Sequence, residues 1–473
     1  MNQSVKQSLS EYLRAHRDNM VADLKTLVSY PSVYGPAEGD APFGLPCQQV
    51  LDRALALFAE AGAETENDGN YYGLATYGDH ADDIGVFAHL DVVPVEAGWV
   101  YTEPFVPVEK EGYLIGRGSR DNKAAVVMAL YAIKAIRALN LPLRHNLKIF
   151  LGCNEESGME DIVRFKSAHT PPTVNLVPDS RYPACLGEKG ICHLTAKAKQ
   201  PLRSIVSFEG GIAPNVILET AVVKMPASPQ LEAELTAAMG DNPAYRLSRE
   251  GELLVLSAVG LTAHGSRPAG SVNGAKLAVT LLLALPSLPQ QDREVLQGMA
   301  AVLASDNGQP LGIAAQDAYF GETTATNGIV RLAEGYLSMT LDIRYGTETD
   351  PDYLYATVCE HLDRLGFTVT QANNRHGFRM EESHPVAQAM MAVYRDVSGE
   401  PDAKAQYSSG GTYARYLPNA VSFGVDVPYL KGTLPFLPGH GSSHQSDEAI
   451  YIDSMVESCR IMTLMILALD QNT

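Results

Sequence analysis

Four short apolar segments, each followed by polar residues, constrain the fold more than any other feature of the sequence. Residues 84–88 lead into His89, 147–151 into Asn154, 174–177 into Asp179 and 420–425 into Asp426. Short apolar runs that alternate with helices are typical of a largely parallel sheet with helices on both faces. Because ligands bind beyond the carboxyl ends of such strands, these polar residues predict a functional site there.

Helical periodicity between the apolar runs supports this fold class. An amphipathic pattern covers residues 10–28, a second helix is predicted at 47–61, and an alanine-rich helix at 124–139. The predicted fold class is therefore α/β, with a mixed, mostly parallel sheet covered by helices on both faces.

The middle of the chain has a different pattern. Alternating apolar and polar residues predict strands at 253–259, 335–344 and 367–370. This pattern predicts an inserted α+β domain over residues 185–381. Residues 1–184 and 382–473 would then form one discontinuous domain.

Composition limits the classes of partner. The formal net charge is −19, which argues against nucleic acid and against an anionic membrane surface as partners. The opening residues lack the apolar core of a secretory signal. Six cysteines are scattered without a CxxC motif, which is typical of reduced thiols, although a disulfide between Cys185 and Cys192 stays open. We expect a cytoplasmic protein.

Histidine and carboxylate side chains recur near the predicted strand ends. They are His89, Asp91, Asp121, Glu155, Glu156, Asp179 and His444. Each has an ordinary structural explanation when taken alone, such as a helix cap for Asp121. Together they form a set of nitrogen and oxygen donors without cysteine, which favours a catalytic divalent metal site over a structural zinc site.

Seven spaced motifs resemble those of a known enzyme family. They span 89–94, 116–123, 154–158, 177–180, 260–268, 342–345 and 444–448. In this order they are similar to the dinuclear zinc amidohydrolases, the family of aminoacylase, carnosinase and glutamate carboxypeptidase. Within it, the long insertion resembles the bacterial dipeptidase V (PepV) branch. The resemblance implies a zinc-peptidase-like catalytic domain and a lid formed by residues 185–381.

The resemblance also implies a set of metal ligands. His89 and Asp179 would bind one cation, Glu156 and His444 the other, and Asp121 would bridge both. We expect two divalent ions, with zinc first and manganese or cobalt as alternatives. A hydroxide between the two ions would act as the nucleophile. The family also implies a cis peptide bond after Asp121.

Other residues are expected to assist these ligands. Asp91 would accept the second imidazole N–H of His89 and orient the ring. Its alternative is a cap at the strand end. By resemblance, Glu155 would be the general base that later protonates the leaving amine. His440 competes with His444 as a ligand, and the residues after His444 favour the latter.

The lid and a glycine-rich turn supply candidate substrate contacts. By resemblance, His264 would stabilise the oxyanion, while Asn215 and Arg344 would contact the substrate. A guanidinium can bind a carboxylate with two hydrogen bonds, but an ion pair with Asp342 is an equal alternative for Arg344. Backbone N–H groups near Gly411 could hold the substrate carboxylate, or form a plain tight turn.

The resemblance favours a metal-dependent dipeptidase. A long lid suits an unblocked dipeptide held at both ends, including Xaa-His or β-Ala-His dipeptides. One alternative is an N-acyl amino acid deacylase of the desuccinylase or acetylornithine type. Another is an inactive relative that only binds peptides. We expect a small peptide as the partner and either a monomer or a homodimer.

Overall fold

The computed structural model describes residues 3–472, which form two compact units. One unit comprises residues 3–187 and 379–472, and the other comprises residues 188–378. Each unit has its own hydrophobic core. Below, they are called the first unit and the second unit.

The helices are numbered along the chain. They are α1 Gln3–Ala15, α2 Arg17–Val28, α3 Leu45–Glu60, α4 Lys123–Ala138, α5 Glu160–Ala168, α6 Pro229–Met239, α7 Gly274–Leu283, α8 Gln290–Val302, α9 Pro351–Arg364, α10 Pro385–Ser398 and α11 Ile452–Asn472. Single 3-10 turns lie at Gln309–Leu311 and Tyr413–Tyr416.

The strands are numbered in the same way. They are β1 Glu64–Asp68, β2 Tyr72–Tyr77, β3 Asp83–His89, β4 Val108–Lys110, β5 Tyr113–Ile115, β6 Asn146–Gly152, β7 Val174–Val177, β8 Cys185–Glu188, β9 Gly190–Ala198, β10 Ser207–Gly210, β11 Thr220–Pro226, β12 Tyr245–Glu250, β13 Leu253–Val259, β14 Gln316–Asp317, β15 Gly321–Glu322, β16 Thr324–Ala333, β17 Tyr336–Tyr345, β18 Phe367–Arg375, β19 Phe378–Arg379, β20 Gln406–Ser408, β21 Ala420–Ser422 and β22 Ala449–Tyr451.

The central sheet runs in the order β1-β2-β6-β3-β7-β21-β8-β19, with β20 also paired to β8. Strands β6, β3, β7 and β21 are parallel neighbours. The pairs β1–β2, β2–β6 and β21–β8 are antiparallel. The predicted α/β class with a mixed sheet is therefore confirmed. The carboxyl ends of the four parallel strands meet at one edge of the sheet.

Helices cover both faces of this sheet because side chains alternate along each strand. Ile84 and Val86 of β3 lie in the core that contains α4. Phe87, the residue after Val86, points to the other face, where its ring lies 5.6 Å from that of Phe165 in α5. Phe150 of β6 completes this aromatic cluster, with its ring 5.2 Å from Phe165. Both helices therefore hold the strands whose ends carry the polar motifs.

The second unit is an α+β arrangement, as predicted. Its eight-stranded sheet runs in the order β12-β13-β11-β10-β16-β17-β9-β18. The neighbouring strands are antiparallel. Helices α7, α8 and α9 contribute buried side chains to its core.

Two predicted elements differ from the structure. The helix predicted over 10–28 is interrupted at His16, whose backbone has φ −105° and ψ 10° and whose imidazole Nδ1 lies 2.8 Å from the Tyr12 carbonyl. The strand predicted over 420–425 ends at Ser422, since its parallel partner β7 ends at Val177. Among the described residues, no helix has the length and apolar content that crossing a membrane requires.

Candidate metal centre

Five side chains from separate segments of the chain converge at the carboxyl edge of the central sheet. His89 ends β3, Asp121 lies just before α4, Glu156 follows β6, and Asp179 follows β7. His444 lies in the loop between β21 and β22. The peptide bond from Asp121 to the next residue is cis, as the resemblance implied.

These five residues form two overlapping groups that share Asp121. In the first, His89 Nε2 lies 3.3 Å from Asp121 Oδ1 and 3.8 Å from Asp179 Oδ2. In the second, His444 Nε2 lies 3.2 Å from Asp121 Oδ2 and 2.9 Å from Glu156 Oε1. Potential ligand atoms within each group lie within 4.8 Å of one another. The two oxygens of Asp121 thus face different groups, as a bridging carboxylate requires.

Burial and mutual repulsion determine the electrostatics of the cluster. Burial and the charge of Asp121 raise the pKa values of both Asp179 and Glu156. Although burial lowers it, the carboxylates of Glu156 and Asp121 raise the pKa of His444 to about 11. Burial has the same effect on His89, but neighbouring carboxylates again raise its pKa. For Asp121, the two imidazoles outweigh burial and lower the pKa.

The donor set fits a pair of divalent cations. His89 is almost completely buried, and its Nε2 has no hydrogen-bond partner among the described residues. A cation would satisfy this nitrogen and relieve the repulsion between the carboxylates. Imidazole nitrogens and carboxylate oxygens without thiolates suit zinc, manganese or cobalt.

The backbone carbonyl of Asp91 lies closer to the His89 imidazole than its carboxylate does. The Nδ1 atom of His89 lies 2.9 Å from the backbone carbonyl oxygen of Asp91 and 3.5 Å from its Oδ1. The carboxylate accepts the backbone N–H groups of Glu155 and Glu156, both at 3.1 Å. A hydrogen bond to the carbonyl places the proton on Nδ1 and leaves Nε2 free for a metal. Asp91 therefore orients His89 through its backbone and holds the Glu155–Glu156 turn through its side chain.

Glu155 lies beside the five converging side chains without belonging to either group. It is 8% exposed, and its Oε1 is without a hydrogen-bond partner in residues 3–472. Burial and the charge of Asp179 raise its pKa well above the usual range. A carboxyl group with a raised pKa next to a cation site is suited to accepting and returning a proton.

The two histidines that competed as ligands occupy different environments. His440 Nδ1 lies 2.7 Å from Asp447 Oδ2. Its neighbour along the loop, His444, instead contacts Asp121 and Glu156. The geometry therefore favours His444 as the ligand.

Sequence reasoning missed Asp161 and Tyr413, which support the turn after β6. The hydroxyl of Tyr413 donates to Asp161 Oδ2. The same oxygen accepts the backbone N–H groups of Cys153 at 2.9 Å and Asn154 at 2.8 Å. Tyr413 and Asp161 are far apart in sequence, so no local pattern identifies the pair.

His264 and Asn215 are adjacent within the second unit. His264 is exposed, and its Nδ1 lies 2.8 Å from Ser266 Oγ. The backbone carbonyl of Asn215 accepts the N–H of Gly265 at 2.7 Å. This hydrogen bond ties the Asn215 turn to the loop that carries the histidine.

Arg344 makes the ion pair that was the alternative to substrate binding. Its Nε lies 2.7 Å from Asp342 Oδ1, and its Nη2 lies 3.0 Å from Asp342 Oδ2. Both residues are buried within the second unit. A guanidinium held in this way is rigid, but much of its hydrogen-bonding capacity is already used.

Gly411 lies in the first unit, before the 3-10 turn at Tyr413–Tyr416. A Cβ atom at this position would lie only 2.3 Å from Arg415 Nη2. Because the contacting atom is the far end of a flexible side chain, a larger residue here requires only that the Arg415 guanidinium shifts. The predicted contact of Gly411 with substrate stays a prediction.

Comparison with known proteins finds relatives that match this chain over more than nine tenths of its length. YtjP of Bacillus subtilis (strain 168) is 27% identical over 462 residues, which cover 93% of this chain and 95% of YtjP. A protein of Lactobacillus delbrueckii subsp. lactis named Beta-Ala-Xaa dipeptidase is 26% identical over 471 residues, 96% of each chain.

Solved structures show the same fold at low sequence identity. The dipeptidase Dug1p of Saccharomyces cerevisiae superposes with a TM-score of 0.61 and 13% identity, covering 100% of this chain and 99% of Dug1p. Human carnosine dipeptidase 1 gives 0.59 and 15%, covering 98% of this chain and 100% of that protein. Residues 85–468 match the sequence profile of peptidase family M20/M25/M40. The chain therefore belongs to peptidase family M20/M25/M40.

Proposed function

We propose that this chain is a metal-dependent dipeptidase that hydrolyses unblocked dipeptides. The observation that carries the proposal is the pair of donor groups sharing Asp121, beside which Glu155 has a carboxyl oxygen with no hydrogen-bond partner in the described part of the chain. Membership in a peptidase family and the relative named Beta-Ala-Xaa dipeptidase support peptide-bond hydrolysis.

The predicted roles follow from the donors present. His89 and Asp179 would hold one cation, Glu156 and His444 the other, and Asp121 both. When bound, two divalent cations supply Lewis-acid polarisation and lower the pKa of water. Zinc is the proposed metal, with manganese and cobalt as alternatives.

The chain itself would move the proton and hold the substrate. Glu155 would accept a proton from the attacking water and deliver it to the leaving amine. His264 would stabilise the developing oxyanion. Asn215, Arg344 and the backbone at Gly411 would contact the substrate.

The substrate proposal is a dipeptide with free ends, including β-Ala-Xaa and Xaa-His sequences. The names of the Lactobacillus relative and of human carnosine dipeptidase 1 support this class. We also propose that the second unit serves as the lid. A cytoplasmic location, as a monomer or homodimer, agrees with the six free cysteines.

Hydrolysis assays with defined substrates test the proposal. The chain is treated with EDTA and then supplied with zinc or manganese, and free dipeptides are compared with N-acetyl and N-succinyl amino acids. Metal-restored cleavage of dipeptides alone is expected. Cleavage of only the acylated amino acids would replace the proposal with a deacylase, and a lack of turnover on both classes would indicate a peptide-binding relative.

A further inference from the structure

The loop that carries His444 ends in two adjacent, completely buried acids, Asp447 and Glu448. Asp447 Oδ1 accepts the backbone N–H groups of Val100 and Tyr101, at 2.9 and 3.0 Å. Glu448 has a different set of partners. None of these contacts has a role in the proposed chemistry.

The Glu448 carboxylate organises the turn that leads into Asp121. Its Oε1 accepts three backbone N–H groups, those of Gly118 at 3.1 Å, Arg120 at 3.0 Å and Asp121 at 3.0 Å. A carboxylate that accepts several N–H groups in a buried site holds that backbone in one conformation. The main chain of the proposed bridging ligand is thus anchored to Glu448.

Arg117 links the same carboxylate to the His444 loop. Its Nη1 donates to Glu448 Oε2 at 2.6 Å, and its Nη2 donates to the His444 backbone carbonyl at 3.3 Å. The guanidinium is 1% exposed and lies 5.6 Å from the centre of the Trp99 ring. One buried ion pair therefore contacts the backbone of both Asp121 and His444.

We propose that Glu448 and Arg117 are positioning residues that set the affinity of the group formed by Asp121, Glu156 and His444 for its cation. The inference rests on the proposed function, because it concerns that metal centre. Among the described residues, neither His89 nor Asp179 forms a hydrogen bond with this ion pair. The pair contacts two members of the group of Asp121, Glu156 and His444, but only the shared Asp121 of the other group, so it should affect the cation of the other group less.

Stepwise zinc affinities of the full chain test the inference. The metal-free protein is titrated with zinc against a chelating dye, well below its unfolding temperature. For Glu448→Gln we expect one binding step to weaken by about 10–100-fold, as for other residues that orient ligands. The other step should change much less. Arg117→Lys keeps the charge but cannot reach both acceptors, so it should weaken the same step by a smaller factor.

Asp470 provides a matched control in the same unit. It is also buried, and its Oδ1 accepts the backbone N–H groups of Arg144 at 2.8 Å and His145 at 3.0 Å. These residues precede β6, at the end opposite the turn that carries Glu156. We expect Asp470→Asn to leave both zinc affinities unchanged.

A double variant tests the same inference if the single variant does not fold. If Glu448→Gln does not fold, Arg117→Met combined with Glu448→Gln removes both charges and leaves no unpaired ion. This double variant should weaken the same binding step.

Several outcomes would overturn the inference. Wild-type affinities in the folded Glu448 variants would reduce the pair to a structural role. Equal weakening of both steps would contradict the assignment of the pair to the group of His444, and the same change in Asp470→Asn would show general destabilisation. If the wild type does not bind two ions, the proposed metal centre fails and the inference fails with it. If it binds two ions but cleaves no dipeptide, only the proposed activity fails, because the affinities still decide the inference.

Discussion

Each of the two units contains a cluster of acidic and cationic side chains, but the cationic partners differ. In the first unit, Asp121 and Glu156 are paired with the imidazole of His444. In the second, Asp342 is paired with the guanidinium of Arg344 at 2.7 Å and with the imidazole of His193 at 3.1 Å. Burial raises the pKa of Asp342, but these two partners lower it overall. For Glu156, burial and repulsion prevail and the pKa is raised.

The difference shows that the partners of a buried acid indicate its role better than its burial does. An imidazole can lose its proton near neutral pH and then bind a metal. A guanidinium stays charged and cannot become a ligand. The cluster at Asp121 can therefore exchange protons for metal cations, whereas the Asp342–Arg344 pair is a permanent part of the fold.

The largest effect on activity is expected from a substitution of Glu155, which lies beside the proposed metal centre. Glu155→Gln keeps the shape of the side chain but removes its proton-accepting group, so kcat should fall by about 10²–10⁴-fold. The metal content should stay at two ions, since Glu155 belongs to neither donor group. Steady-state kinetics and metal analysis check both. The exposed Glu160 is the matched control, and Glu160→Gln should keep full activity. Normal turnover in Glu155→Gln would remove it as the base.

Breaking the Asp342–Arg344 ion pair of the second unit should lower the stability of the protein. Asp342→Asn leaves the buried Arg344 without its counter-ion, so the free energy of unfolding should fall by about 3–5 kcal/mol. Urea denaturation measures this change. Removing both charges with Asp342→Asn and Arg344→Met should restore part of the loss. A neutral effect of the single variant would show that the pair is solvated, and the contrast between the clusters would disappear.

Neutralising an acid of the proposed metal centre should raise the free energy of unfolding of the metal-free protein, whereas Asp342→Asn should lower it. Burial and the charge of Asp121 already disfavour the ionised form of Asp179. An asparagine oxygen can still accept the Asn122 Nδ2 hydrogen bond that Asp179 accepts at 3.2 Å. The free energy of unfolding of Asp179→Asn without metal should therefore rise by about 1 kcal/mol. Its zinc affinity should fall. A loss of stability as large as that of Asp342→Asn would contradict this interpretation.

The proximity of the candidate ligands could be predicted from the sequence because the geometry of a parallel sheet brings the ends of its strands together. His89 and Asp179 each follow an apolar strand, and β3 and β7 are parallel neighbours. Parallel strands bring their carboxyl ends together, so residues far apart in sequence meet without any pairwise signal. Family motifs supplied the remaining candidate ligands, Asp121, Glu156 and His444. The structure brings all five together.

The supporting contacts could not be predicted because they join loops with no shared pattern. Glu448 contacts the turn at Gly118 across 330 residues of sequence. The same holds for Tyr413 and Asp161, 252 residues apart. The orientation of the Asp91 carboxylate likewise depends on where another turn places its N–H groups. The roles of His264, Asn215 and Gly411 stay predictions.

The smallest effect concerns the pH dependence of metal-free protein. Folding raises the pKa of His444 to about 11, against an unfolded value of about 6.5. The folded state therefore binds the extra proton more tightly. This stabilisation is fully present below about pH 6.5 and is lost as pH rises towards the raised pKa. The raised pKa values of Asp179 and Glu156 act in the same direction from about pH 4 upward.

Because the His444 side chain is 53% exposed, solvent screening should limit its contribution to about 1 kcal/mol or less. Urea denaturation of EDTA-treated protein between about pH 6 and 9 should show stability falling with pH. Adding zinc should reverse the slope, since metal binding displaces protons from the imidazoles and tightens as pH rises. For Asp342, whose pKa is lowered, stability is instead lost as the pH falls below the unfolded value of about 3.9. If the stability of the metal-free protein instead rises between pH 6 and 9, the imidazoles are not protonated partners of the acids. The two clusters would then differ for another reason.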